Sequence, residues 1–355
     1  MKTQISKTHS HADIATLTLP AHSEHCITVQ ASEHRKMDDQ LRQEAEKRNA
    51  TLLSQFVFGG THHCETPGDS VWLQGDACDD GDLYSMQAVA LSGLDPKPIH
   101  LNGRDMGFTY EDECASYCRL RGVMPQDLTA SRIEQTRSAF ETMDAALKLN
   151  GFKFTDTIRT WIYLDGLLDW YDDFNVVRTK YFNETGIFDH MVPASTGIGA
   201  SNQYGAAIMM DVLAVKPKDD RLKIIEVASP LQNPAFDYKS SFARAVEMAY
   251  PTHKNVLISG TASIDPEGVS VHLDDPEKQI RLTLEVVKQI LESRGMGWKD
   301  LFRGIAYFKD MEYKPLYEKV ALELGIPRFP LAISHADVCR HDLLFEIEVD
   351  AVKIV

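Results

Sequence analysis

At 355 residues the chain exceeds one ordinary domain, and 43% hydrophobic with 25% charged residues is a globular composition that can bury cores without disulfide or metal staples. A formal net charge of −15, with no Lys/Arg cluster, excludes a surface for the nucleic-acid phosphate backbone. No run approaches the length of a membrane span and Met1 to Asp13 carry no apolar signal region, so a cytoplasmic setting is expected.

Residues before about Gln55 are polar and His-rich; they fit an extra strand, or a helix over Met37–Leu53 followed by a strand, QFVFGG. Next comes Thr61-His62-His63-Cys64-Glu65, which invites zinc but is followed by no second ligand pair at a recognised spacing; no metal and no cofactor are expected. The six cysteines have no framework spacing, as free thiols in a reducing compartment would not. Cys114 and Cys118 stand one helical turn apart and are read as core residues. A strand candidate, QAVALSG, precedes the next helix.

From Glu134 to Tyr163 the chain can be laid without a gap on Lys278 to Tyr307. Gln135, Arg137, Glu141, Leu147, Gly151, Asp156, Arg159 and Tyr163 fall on Gln279, Arg281, Glu285, Leu291, Gly295, Asp300, Arg303 and Tyr307. A duplication is the economical explanation. Each copy predicts a helix stopped by glycine, then a strand, TIRTWIYL or LFRGIAYF. A second helix follows (Tyr171 to Phe182, Tyr313 to Leu324), then a closing strand, Ala206 to Val215 or Leu343 to Val352. Another strand candidate, NVLISGTASI, precedes the second copy. This order gives an α+β layer design, helices packed on one face of a mixed sheet, with two domains, 1–220 and 221–355, divided near the polar KPKDDR.

The last strand carries the strongest chemical signal. Alternation sets Leu343, Phe345, Ile347 and Val349 on one face and Leu344, Glu346, Glu348 and Asp350 on the other. On an isolated strand a solvated acidic face would be the plainer reading. The repeat argues otherwise: Met209 and Met210 fall where the second copy has Glu346 and Ile347, and Asp211 falls opposite Glu348, which suggests one functional acid per pair of copies. Upstream, Arg340 suits a carboxylate clamp and Cys339 is read as shaping a pocket. Arg159 and Trp161 share a strand face; Arg244 in SFARA and the turn SGTAS are further candidates. PASTGIGA is read as a tight turn whose Gly197 and Gly199 allow close backbone approach.

Over nearly all of 125–215 and 225–355 this order of elements resembles the RidA/YjgF family. The resemblance implies the chorismate-mutase-like fold, a trimer with clefts between subunits. Deaminases of that family place an arginine just after a proline-alanine pair; here Ser195 and an apolar residue near Leu331 take that place, so the deaminase arginine is missing. A closer resemblance is to the tandem-domain chorismatases, which hydrolyse the enolpyruvyl ether of chorismate. It rests on RTW-x-Y from Arg159, on Tyr171, Phe174 and Arg178, on PA-x-TGIGA, on F-x-RA with Arg244, on Gly260 to Ser263, and on the ending Cys339 to Glu348.

That resemblance implies that Glu346 is the catalytic acid, and that Cys339 with Ala262 sets the product toward 3-hydroxybenzoate. Arg159, Arg244 and Arg340 would then clamp a dianionic small carboxylate, with Trp161 beside them. No nucleic acid or membrane partner is expected, and a homo-oligomer, a trimer, is. Two rival readings are a RidA-type deaminase or other small-carboxylate enzyme, and a non-enzymatic ligand-binding regulator on the same scaffold.

Overall fold

The structure is a computed structural model, and it describes residues 2–30, 33–61, 70–75, 78, 82–235 and 240–355. Three antiparallel strands, a helix, a further strand and a strand parallel to it, then a closing strand inserted between the third and the fourth: this plan is laid down once in each third of the chain. The first unit contains β1 (Gln4–His9), β2 (Asp13–Thr18), β3 (Ser23–Gln30), α1 (His34–Glu46), β4 (Ala50–Gly59), β5 (Val71–Leu73) and β6 (Leu83–Ser92). The second contains β7 (Lys97–Leu101), β8 (Arg104–Glu111), β9 (Ala115–Val123), α2 (Arg132–Leu149), β10 (Thr157–Leu164), α3 (Tyr171–Thr185), β11 (Ala194–Gly199) and β12 (Ile208–Pro217). The third contains β13 (Lys223–Val227), β14 (Ala245–Ala249), β15 (His253–Ala262), α4 (Pro276–Ser293), β16 (Leu301–Phe308), α5 (Lys314–Glu323), β17 (Leu331–His335) and β18 (Phe345–Ile354). Their strand orders, β1-β2-β3-β6-β4-β5, β7-β8-β9-β12-β10-β11 and β13-β14-β15-β18-β16-β17, are one topology.

The mixed α+β design is therefore as expected, but there are three sheet units where the sequence suggested two domains. The residues assigned to an N-terminal extension form a sheet of their own, and QAVALSG closes that sheet instead of opening the next. Two local expectations also change. Cys118 is core-facing from a strand, β9, with half-buried Cys114 just before it, and PASTGIGA holds a strand, β11. Close approach does hold at Gly199, whose N–H donates to Asp337 O at 2.8 Å and where a Cβ would stand 2.8 Å from the Asp337 Cβ.

The two recognised copies end their first helices alike. Gly151 (φ 78°) and Gly295 (φ 70°) take the left-handed conformation just past α2 and α4, and Phe152 N and Met296 N reach back to Leu147 O and Leu291 O at 3.0 and 2.9 Å. That is a Schellman stop, which glycine adopts without a Cβ penalty. Ser131 and Glu134 form a capping box at the start of α2, and Asp275 caps α4, each worth about 1 kcal/mol.

Helices cover the outer face of each sheet, over apolar clusters such as Phe140, Met143, Ile162 and Met210 in the second unit and Ile280, Val287, Phe345 and Ile347 in the third. The inner faces meet in one shared core: Phe56, Phe58 and Val71 from the first unit, Trp161, Tyr163 and Met209 from the second, Val246, Ile305 and Tyr307 from the third. Register makes positions equivalent across the three sheets. Phe58 pairs with Ser85, Tyr163 with Met209 and Tyr307 with Glu346; two residues along the same face, Phe56 pairs with Gln87, Trp161 with Asp211 and Ile305 with Glu348. Each unit thus brings one side chain, Ser85, Met209 or Glu346, to the same place in its sheet.

Candidate active site

In β18 the apolar set Phe345, Ile347 and Val349 lies under α4 and α5, so alternation turns Glu346, Glu348 and Asp350 toward the other units. The two glutamates meet opposite environments. Glu348, 0% exposed, accepts from Arg159 Nη2 (2.8 Å) and Thr196 Oγ1 (2.5 Å) on one oxygen, and from Trp161 Nε1 (2.7 Å) and Arg303 Nη2 (2.9 Å) on the other. Burial alone would raise its pKa; Arg159 and Arg303, with the Thr196 and Trp161 hydrogen bonds, outweigh that and hold it below the usual carboxylate range. The repeat-related arginines Arg159 and Arg303 converge on this one carboxylate, which joins the second unit to the third.

Glu346 is buried with no such cradle, and its carboxyl accepts no hydrogen bond among the described residues. Burial, with the nearby charge of Glu348, pushes its pKa up to about 8 against the opposing pull of Arg159 and Arg244. It stays a protonated acid at neutral pH, the state needed to give a proton. Gly260 makes room for it: a Cβ there would stand 2.0 Å from Glu346 Oε1.

Glu346 opens onto a cleft of about 1420 Å³ between the second and third units. Arg244, Gly260, Ala262, Cys339 and Arg340 line it from the third unit; Tyr171, Arg178 and Ser195 line it from the second. Arg244 is held by Asn233 O (2.9 Å from Nη2), Arg340 by Gly268 O (2.8 Å from Nη1) and Arg178 by Asn175 Oδ1 (2.5 Å from Nη2). Three guanidiniums therefore stand around an un-ionised carboxyl, an arrangement that can hold a small polyanion while protonating it. Cys339 packs beside Ala262. Burial and the neighbouring Glu346 push its thiol up to about 12, which makes it a neutral wall rather than a thiolate nucleophile.

Of the residues singled out from the sequence, Glu346, Arg340, Arg244, Cys339 and Ala262 come together in this cleft. Arg159 and Trp161 do not line it. They share a face of β10, as alternation required, but that face meets β18 at the level of Glu348, and both side chains are committed there. Two buried arginines, Arg159 and Arg303, therefore depend on Glu348. Sequence reasoning assigned no role to Arg178 or Gly260. The spacing of Tyr171 and Arg178, two helical turns, was the available sign that both face one way. His62, His63, Cys64 and Glu65 lie outside the described residues; among those described, no group of three His, Cys, Asp or Glu could hold a metal ion.

No family model matches the chain. A 3-hydroxybenzoate synthase of Streptomyces hygroscopicus is 27% identical over 274 residues, 70% of this chain and 77% of that protein. A chorismatase of the same organism is 28% identical over 234 residues, 58% of this chain and 65% of that protein. A RutC family protein of Pyrococcus horikoshii is 30% identical over 99 residues, 28% of this chain and 79% of that protein. Among solved structures, a chorismatase crystal structure superposes with a TM-score of 0.69 at 20% identity, covering 94% of this chain and all of that one, a likeness of fold.

Proposed function

For this chain, which belongs to the RutC (RidA/YjgF) family and to its chorismatase-like branch, we propose cleavage of the enolpyruvyl ether of chorismate, with release of pyruvate and a hydroxybenzoate. The observation that carries the reading is a carboxyl with a pKa near 8, placed in a cleft with three arginines.

Glu346 gives its proton to the terminal methylene carbon of the enolpyruvyl group, whose π electrons form the new C–H bond. The cation left beside the ether oxygen takes up water, and the resulting hemiketal collapses with breakage of the bond between the former vinyl carbon and the ether oxygen. Pyruvate and a ring diol leave, and a proton from the added water restores Glu346. Loss of one water from the diol then gives the aromatic 3-hydroxybenzoate, so the overall change consumes no oxidant and no cofactor. Arg178, Arg244 and Arg340 neutralise the two substrate carboxylates, and Arg159, acting through Glu348, is a positioning residue. Cys339 and Ala262, small and uncharged beside Glu346, are assigned to product choice. A relative named 3-hydroxybenzoate synthase supports the aromatic product over the diol.

A RidA-type deaminase would need a guanidinium after the proline-alanine pair, where Ser195 stands with its Oγ accepting from Thr160 Oγ1 at 2.8 Å. The proton-holding acid favours an enzyme over a ligand-binding regulator. Three units meeting in one core support a reading in which one chain supplies the trimer-like arrangement that the resemblance implied for separate subunits. No helix among the described residues is long and apolar enough to cross a membrane. Five free cysteines among the described residues support a reducing, cytoplasmic setting.

The test is incubation of the purified chain with chorismate, with pyruvate and aromatic products quantified together. Equimolar pyruvate and 3-hydroxybenzoate are expected. Unchanged chorismate, at concentrations where the cleft is shown to be occupied, would overturn the reading.

A further inference from the structure

The acid lies against a β-bulge. Where β15 pairs with β18, Ile258 opposes Val349 and Thr261 opposes Ile347, so two residues, Ser259 and Gly260, stand opposite Glu348 alone. The second unit repeats the bulge: Val123 opposes Met210 and Leu120 opposes Val212, leaving Arg121 and Gly122 opposite Asp211. The first unit has none there, because Val29, Thr28 and Ile27 pair one to one with Met86, Gln87 and Ala88. A bulge takes its extra residue out of the ladder, so the amide of a buried bulge needs an acceptor from elsewhere.

The two bulge glycines find different acceptors. Gly122 N donates directly to the side chain opposite it, Asp211 Oδ1, at 2.8 Å. Gly260 N donates instead to Thr196 Oγ1 at 3.1 Å, and that hydroxyl donates its own hydrogen to Glu348 Oε2 at 2.5 Å. The difference comes from the neighbouring unit. Thr196 stands on β11 opposite Trp161; in the same register of the first unit, opposite Phe56, stands Val71, which has no hydroxyl. The residue before Thr196 completes a clamp, because Ser195 N donates to Ser259 Oγ at 2.9 Å. Two consecutive residues of β11 thus hold the two bulge residues of β15 across the junction. Thr196 is buried, and its Oγ1 also accepts from Arg159 Nη2 at 2.6 Å, which fixes its rotamer.

We propose that Thr196 is a positioning residue for the acid: it holds the Gly260 peptide as the seat of the Glu346 carboxyl and keeps that peptide's N–H from either glutamate. The seat is close, since a Cβ on Gly260 would stand 2.0 Å from Glu346 Oε1 and 3.2 Å from Thr196 Cγ2. The inference rests on the acid role proposed for Glu346. The charged and titratable groups facing Glu346 are Glu348 on its own strand, Arg159 on β10, Tyr171 at the start of α3, Arg244 just before β14 and Cys339 before β18, with Arg178 and Arg340 in the same cleft. Valine at 196 changes none of them and releases the amide to a carboxylate. Bonded to Glu346, the amide stabilises the ionised form directly. Bonded to Glu348, as Gly122 is to Asp211, it damps the repulsion that helps keep Glu346 protonated. Both lower the pH at which the acid loses its proton.

The experiment is a carbon-13 NMR pH titration of glutamate-labelled protein, with the Glu346 signal identified by its loss in E346Q. It needs no substrate, so a chain that left chorismate intact would refute the reaction and still test this inference. In T196V the Glu346 midpoint should fall by about one pH unit, a tenfold loss of proton affinity. T196S keeps the hydroxyl and should restore the wild-type midpoint. The alkaline limb of pyruvate release should move with the midpoint while KM stays near wild type. Should T196V fail to fold, T196A removes the hydroxyl without setting a methyl against Arg159 and carries the same expectation. A midpoint that stays in place or rises in the folded variant would overturn the proposal, as would a T196S midpoint as low as that of T196V.

Discussion

Replacing Glu348 by glutamine removes a negative charge from between two guanidiniums and leaves every heavy-atom position filled. Arg159 and Glu348 are both 0% exposed and Arg303 is 4% exposed, so the charges left behind cannot turn to water. Breaking one member out of a buried ion-paired set costs about 3–5 kcal/mol, and E348Q should lose stability on that scale in a denaturant titration. The same change acts on Glu346. Two residues apart on one strand face, the two carboxyls are separated by roughly 7 Å, where unit charges interact by about 2 kcal/mol at an effective dielectric near 20. Removing that repulsion, while Arg159 keeps its charge, should lower the Glu346 pKa by roughly 1.5–2 units. In wild type the rate should fall as pH rises through about 8, because the donor is lost there. In E348Q the same limb should lie at lower pH. The assay is pyruvate release across pH 5–9 beside the unfolding curve. An E348Q enzyme of wild-type stability with an unmoved alkaline limb would refute both the cluster and the origin of the Glu346 shift.

Gly260→Ala puts a methyl 2.0 Å from Glu346 Oε1; turnover should fall far more than affinity, as steady-state kinetics would show, and an unchanged kcat would contradict the close approach. R178M, R244M and R340M should each raise KM about tenfold or more, read from initial rates against chorismate. Because Glu346 keeps its proton in the fold up to about 8 against an ordinary value of 4.5, its contribution to stability is complete below about 4.5 and is lost as pH rises toward 8. Wild type should therefore lose about 1.4 kcal/mol per pH unit across that window relative to E346Q, in paired denaturant titrations. Cys339 stays a thiol to about 12, so alkylation by iodoacetamide at pH 7.5 should be slow; rapid inactivation would argue for a reactive thiolate.

The strands Thr157–Leu164 and Leu301–Phe308 were legible to the residue, because each is an apolar run bounded by a helix stop and a turn. The glycines that stop α2 and α4 and the alternation of β18 were equally plain, since they depend on local conformation alone. The first unit was not legible as a third copy. Its sheet repeats the topology, but Ser54 stands where the other units have Arg159 and Arg303, Ser85 and Gln87 stand where the third has Glu346 and Glu348, and α1 is a short, polar helix. Topology is kept by inner-face volume and strand pairing, which many residues satisfy, so the sequence likeness faded first. The role of Arg159 was hidden for another reason: its partner Glu348 lies 189 residues away in a different unit. Residue type showed that Arg159 needed an anion, and only the packing of β10 against β18 shows that the anion is protein rather than substrate.

Glu346→Gln tests the central claim most directly. The amide is nearly isosteric and uncharged like the protonated acid, so the fold and the affinity for chorismate, measured by calorimetry, should be preserved. It has no proton to give, and general acid catalysis contributes about a hundred- to ten-thousandfold, so pyruvate release should fall by that factor. Near-normal pyruvate release from a folded E346Q protein would contradict the assignment of Glu346 as the proton donor.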